Sequence, residues 1–131
     1  MELMQEKIIV SAGNPAGIHF IQSLLSREIP FAVLISRKNE QEEMNSIGVP
    51  LCVEVDLISK DSWIIPEFNV GRVFLFEDSL PLCCRYIQIC RSWTGSPIYV
   101  ISQRGKPRLI YRGLGADHVI HSHSDDLSFL L

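Results

Sequence analysis

Lys7-Ile-Ile-Val-Ser11-Ala-Gly13-Asn-Pro-Ala16-Gly17 reads as a strand, a small-residue turn and the start of a helix. Ile8 to Val10 is a β-branched run after a charged residue, the pattern of a strand buried on both faces of a parallel sheet. Beyond the turn the apolar spacing changes to Ile18, Ile21, Leu24 and Leu25, the period of a helix lying on that sheet. The turn, Ser11-x-Gly13-x-x-Ala16, is an altered form of the G-x-G-x-x-G/A fingerprint, in which backbone N–H groups and a helix N-terminus meet a pyrophosphate. Gly13 keeps the position of close backbone approach, and Ala16 is small enough for helix-to-strand packing. Ser11 replaces the tight-turn glycine. Small-residue turns also open helices in α/β proteins that bind nothing, so this turn alone leaves a phosphate site and a purely structural turn both open.

The 131 residues, 47% of them apolar, make one domain with a real core. A net charge of −3 with scattered basic residues excludes a nucleic-acid surface. No run is long enough to span a bilayer, and the N-terminus lacks the basic start and apolar stretch of a signal peptide, so a cytoplasmic protein is expected. Cys52, Cys83, Cys84 and Cys90 fall in apolar segments without C-x-x-C spacing and are expected as buried free thiols. His118, His121 and His123 lie close in sequence, but the first two point to opposite faces of a strand, so no metal site is expected.

Outward from the opening stretch, strands and helical segments alternate. A first helix from Pro15 to about Arg27 leads to a strand at Phe31–Ile35, a polar helix over Asn39–Ile47 capped by Gly48, and a strand at Leu51–Val53. A helical segment is expected from Leu57 to Ile65, a strand at Arg72–Phe76, and a helix over Leu80–Trp93 whose apolar stripe is core. Strands at Ile98–Ile101 and His118–Ile120 flank a basic helix over Lys106–Arg112. Short joins between six strands and five helical segments predict a Rossmann-like, doubly wound parallel sheet of order 3-2-1-4-5-6, with Ile8, Val33, Val53, Phe74, Val100 and Val119 buried near strand centres.

That order brings several strand ends to one crevice. Ser11, Gly13, Asn14, Pro15 and Ala16 form its turn, and Glu77 and Asp78 end the neighbouring strand. Ser36 and Asp56 end the next strands on the same side. An acidic residue roughly twenty positions beyond the glycines ordinarily holds the adenosine ribose, but here the chain has Ser36-Arg37-Lys38. Arg37 and Lys38 either receive a 2′-phosphate or another phosphorylated group, or form a solvated loop. Asp56 either faces the ligand edge or caps the segment after it. Arg104 either partners a phosphate or lies on the surface. A phosphate-rich ligand, an adenine nucleotide or NADP(H), is expected to bind better than NAD(H).

Nearly the whole chain resembles the nucleotide-binding half of an RCK (regulator of potassium conductance) domain, the TrkA-N-type module of Trk and Ktr potassium uptake systems and ligand-gated potassium channels. Ile98-Tyr-Val-Ile-Ser-Gln-Arg104, a short helix and Leu114-Gly-Ala-Asp-His-Val-Ile120 look like the family's strand, helix and "G-A-D-x-V-I" run. Gly48-Val-Pro-Leu-Cys-Val-Glu-Val-Asp56 is similar to its "G-v-x-v-v-x-G-D" segment, whose Asp lies near the adenosine, although Val55 replaces the glycine. The resemblance implies a cytoplasmic regulatory domain, without enzymatic activity, that controls potassium flux at the inner face of the membrane. It implies NAD(P)(H) or an adenine nucleotide as ligand, a homodimer or ring, and a channel or transporter subunit as partner. The family's C-terminal subdomain is missing, so the chain is expected to be a piece of a longer transport protein. A second class open to such a sheet is a small nucleotide-dependent oxidoreductase, disfavoured because no Tyr-x-x-x-Lys pair, Cys/His pair or substrate domain accompanies it, and a third is a degenerate Rossmann scaffold that dimerises without binding a ligand.

Overall fold

A computed structural model describes residues 6–58, 66–103, 108–122, 127 and 130–131. Strand β1 (Glu6–Ala12) opens the chain, followed by helix α1 (Pro15–Ser26), β2 (Phe31–Ile35), α2 (Lys38–Ile47) and β3 (Cys52–Glu54). Then come β4 (Asn69–Phe76), α3 (Leu80–Trp93), β5 (Ile98–Ser102), α4 (Arg108–Leu114) and β6 (His118–His121). All six strands pair in parallel, in the order β3-β2-β1-β4-β5-β6. This is the doubly wound sheet expected from the alternation of apolar runs.

The sheet separates two layers because side chains alternate along each strand. Ile8, Val10, Val33, Ile35, Phe74 and Phe76 face α1 and Met44 of α2, whereas Ile9, Ala32, Leu34, Val73 and Leu75 face α3 and Tyr111 of α4. Phe20 of α1 sits between Phe74 and Phe76, with ring centroids 4.8 and 5.2 Å away. Each such ring adds dispersion and apolar burial to the α1–β4 contact.

Val53 and Val119 depart from the expected burial. Both are only partly buried, because β3 and β6 are the two edge strands and lack a neighbour on one side. Strand β4 begins three residues earlier than its apolar run, since Asn69 and Val70 pair with Glu6 and Lys7. Residues 59–65 of the expected segment from Leu57 to Ile65 lie outside the described residues, as do Arg104 and His123. Cys52, Cys83, Cys84 and Cys90 are free thiols, Cys83 and Cys90 buried and the other two half-buried. No helix among the described residues is long and apolar enough to cross a membrane.

Candidate functional site

The turn after β1 is pressed onto the end of β4. Ser11 stays in the strand opposite Leu75, so no glycine is needed there for a tight turn. Gly13 N–H donates to the Phe76 carbonyl at 3.1 Å. A Cβ on Gly13 would lie 2.3 Å from that carbonyl oxygen and 2.9 Å from the Asp78 nitrogen, so only glycine fits. The close approach made possible by this glycine is to the protein's own backbone. Gly17, beside Ala16, has the same role for the helix: a Cβ there would meet Ala12 Cα at 2.8 Å.

Asn14 joins the turn to both neighbours. Its side-chain oxygen accepts from Gly17 N–H at 3.3 Å and caps α1, while its amide nitrogen donates to the Glu77 carbonyl at 2.9 Å. Pro15 occupies the first turn of the helix and Ala16 is buried beneath it. These three residues shape the turn and do not line the cleft beside it.

That cleft, of about 140 Å³, opens where β1, β2 and β4 end on the α3 side of the sheet. Of the residues expected at the crevice, Ser11, Gly13, Arg37 and Asp78 line it. Glu40 and Glu43 of α2 and Leu82, Cys83 and Tyr86 of α3 join them, none of which was marked as a site residue by the sequence. The lining thus carries three carboxylates against one guanidinium. Arg37 pairs locally through one nitrogen, its Nε lying 3.4 Å from Glu40 Oε1, and its side chain is largely exposed. Lys38 begins α2, is exposed and lies outside the lining.

Ser36 and Asp56 border a second, shallower cavity of about 540 Å³ with Glu54, Val55, Leu57 and Ile58. Asp56 Oδ1 accepts from Ile58 N–H at 2.8 Å, the local turn use that is common for such an Asp. Ser36 connects the two cavities, because its hydroxyl donates to Glu40 Oε1 at 3.5 Å. Burial pushes the Tyr86 hydroxyl up to about 12; a hydrogen bond with Ser36 opposes the shift, and the Glu40 charge adds to it.

Glu77 corrects the expectation that it faces the cleft. Its Oε1 accepts from Ser102 Oγ at 2.9 Å and its Oε2 from the Tyr111 hydroxyl, so its carboxylate is turned toward β5 and α4. Burial is the main reason that Tyr111 is raised, and the Glu77 bond adds to it. Burial likewise pushes the Cys83 thiol up to about 12, with the Glu77 charge second. A thiol held protonated in this way is a poor nucleophile. His118 stacks on Tyr99 at 4.8 Å, and His121 Nδ1 lies 3.1 Å from the Ser102 carbonyl.

The "G-A-D" run has a structural use. Arg91 on α3 donates to the carbonyls of Thr94, Ser96 and Gly115 and to Asp117 Oδ2, the last two at 2.9 Å. Asp117 Oδ2 also accepts from Ile98 N–H at 2.8 Å. One guanidinium therefore ties the end of α3 to the entries of β5 and β6.

A parallel sheet of this order, with a cleft at the point where the order reverses, defines a Rossmann-like α/β domain. The chain has the fold of solved TrkA-N domains. It is similar to the TrkA-N domain of the inner membrane protein ybaL from Escherichia coli, with 14% identity, a TM-score of 0.65, and 93% of this chain and 90% of that one covered. It is similar to the NAD(P)-binding domain of an exopolyphosphatase-related protein from Archaeoglobus fulgidus, with 17% identity, a TM-score of 0.70, and 89% and 88% covered. The GsuK channel bound to NAD aligns at 16% identity and a TM-score of 0.70 over 92% of this chain, which spans 22% of that channel's length. The resemblance read from the residues is borne out as fold. No family model and no curated protein sequence matches the chain.

Proposed function

We propose that the chain is a regulatory nucleotide-binding module, which controls a potassium channel or uptake system at the cytoplasmic face of the membrane. It works as a homodimer or ring, attached to the transport subunit or bound to it as a separate chain. The observation that carries this reading is the cleft between the β1 turn and α2, at the carboxyl ends of the strands where the order reverses; ligands of open α/β sheets collect there. The GsuK channel, solved with NAD, has a domain of the same fold and adds support.

The module acts by binding and not by turnover. Its cleft of about 140 Å³ is smaller than the roughly 300 to 1,000 Å³ of pockets that enclose a whole small molecule, so it holds part of a nucleotide, with the cavity of about 540 Å³ beyond Ser36 adjoining it. The apolar side chains of Leu109 and Ile110, 86% and 47% exposed on α4 beside the edge strand β6, offer a surface for a second copy. Calorimetric titration of the purified chain with ATP, AMP, NAD⁺ and NADP⁺ tests the reading, with saturable binding of at least one expected. Absence of heat with all four removes it, and steady hydride transfer from NAD(P)H to alcohol, aldehyde or hydroxy-acid substrates replaces it with an enzyme.

A further inference from the structure

The two ends of the sheet carry opposite charge. Between Ser102 and Ala116, the stretch up to and through α4, the sequence has four cations and no carboxylate. Between Arg37 and Ile58, the stretch of α2 and β3, it has five carboxylates and two cations, one of them paired with Glu40. Helix α4 packs beside β6 and α2 beside β3, and these are the two edge strands. Five strand spacings, roughly 24 Å, separate them, well beyond the screening length of about 8 Å in physiological salt. The two charges therefore cannot neutralise each other within one copy.

Each end also exposes apolar surface. Leu109 and Ile110 stand adjacent on α4, with Arg112 exposed in its last turn. At the opposite end Ile58 is 91% exposed just beyond β3, Leu51 is exposed just before it, and Glu54 and Glu42 are exposed on β3 and α2. Charge on an edge strand keeps it from pairing with other sheets, but that use does not account for an isoleucine laid open beside it. A two-fold axis through α4 would set one basic helix against another, which like-charge repulsion opposes. The α2–β3 edge matches α4 in both respects, opposite in charge and apolar at its rim.

We propose that copies of the chain join head to tail, the α4 edge of one docking on the α2–β3 edge of the next, with Leu109 and Ile110 against Ile58 and Arg112 facing the carboxylates. This deepens the reading above, on which it rests for a second copy as partner. It selects head-to-tail assembly, the kind that closes into rings, over a two-fold dimer.

The test is sedimentation velocity of the full chain over a range of concentrations at low and high salt, with two variants checked for folding by thermal melting. One carries Leu109→Asp and Arg112→Glu on the α4 edge, the other Glu54→Gln and Ile58→Ser on the opposite edge. The wild type is expected to form species larger than a dimer, with association weakening at high salt. Each variant alone should associate at least about tenfold more weakly. Mixed in equal amounts they should form a one-to-one dimer and nothing larger, because the intact α4 edge of one meets the intact β3 edge of the other. A two-fold α4 interface gives a different result: the variant changed at Glu54 and Ile58 assembles like the wild type, and mixing adds nothing. That result, or assembly indifferent to both variants, overturns this inference and leaves an oligomeric module standing. A monomer under all conditions overturns both the inference and the dimer or ring of the reading above, whose nucleotide binding is decided separately by calorimetry.

Discussion

The Tyr111 hydroxyl on α4 donates to Glu77 Oε2 at the end of β4, joining two elements 34 residues apart across the α3 face of the sheet. Tyr111 is fully buried, and Ser102 holds the other carboxylate oxygen. Tyr111→Phe keeps the ring and removes only the donor, leaving a half-satisfied carboxylate beside the core. It should lower unfolding stability by about 1 to 3 kcal/mol in a urea titration. An unchanged midpoint would show that the bond contributes nothing net.

Gly13→Ala should be destabilising whether or not ligand is present, by about 1 to 3 kcal/mol, because the added methyl overlaps the Phe76 carbonyl and must push the turn off β4. The comparison is with Gly95→Ala, where a Cβ meets nothing within 4 Å. Equal melting temperatures for the two variants would contradict the close packing of the turn.

Arg91→Ala removes donors from three backbone carbonyls and from Asp117 at once. A loss of about 2 kcal/mol is expected from denaturant unfolding, and Arg91→Lys should recover less than half of it, because an ammonium lacks the planar fork that reaches all four groups. Full recovery by lysine would reduce the network to a simple charge effect.

Asp117 predicts a pH dependence. The Ile98 N–H, followed by Arg91, holds its carboxyl below the ordinary 3.8. A folded-state value below the unfolded one gives stabilisation that is present above about pH 4 and is lost as the pH falls through the folded value. Stability measured from pH 7 downward should therefore drop less steeply below pH 4 in Asp117→Asn than in the wild type, with the variant the less stable at pH 7. Parallel curves would remove Asp117 from the acid transition.

Much of the fold was legible because its elements announce themselves locally. Helix α3 runs over the residues its apolar stripe marks, from Leu80 to Trp93, and β2 over Phe31–Ile35. The site was less legible, because it depends on side-chain direction and long-range contact. Glu77 and Asp78 are neighbours at a strand end, yet Asp78 lines the cleft while Glu77 turns to a tyrosine 34 residues away. Glu40 reads as an ordinary first-turn acid of a polar helix, and its (i, i+3) spacing from Arg37 was the one local hint of their pairing. Gly13 reads in sequence as the position of close backbone approach to a phosphate, and in the structure the approach is to the protein's own β4 end. What presses against it is Phe76, and no pattern within a dozen residues reveals that.

The pairing of β1 with β4 also sets an order of events during synthesis. Strand β1, helix α1 and strand β2 adjoin in sequence and can associate over short loops, whereas Ser11 meets Leu75 only after a connection of more than sixty residues has closed. The wall of the cleft formed by Phe76, Asp78, Leu82 and Tyr86 is therefore missing from a ribosome-bound chain that has exposed only its first half. The nascent β1–α1–β2 unit carries Ser11, Gly13 and Leu34 of the lining and nothing of the opposite wall.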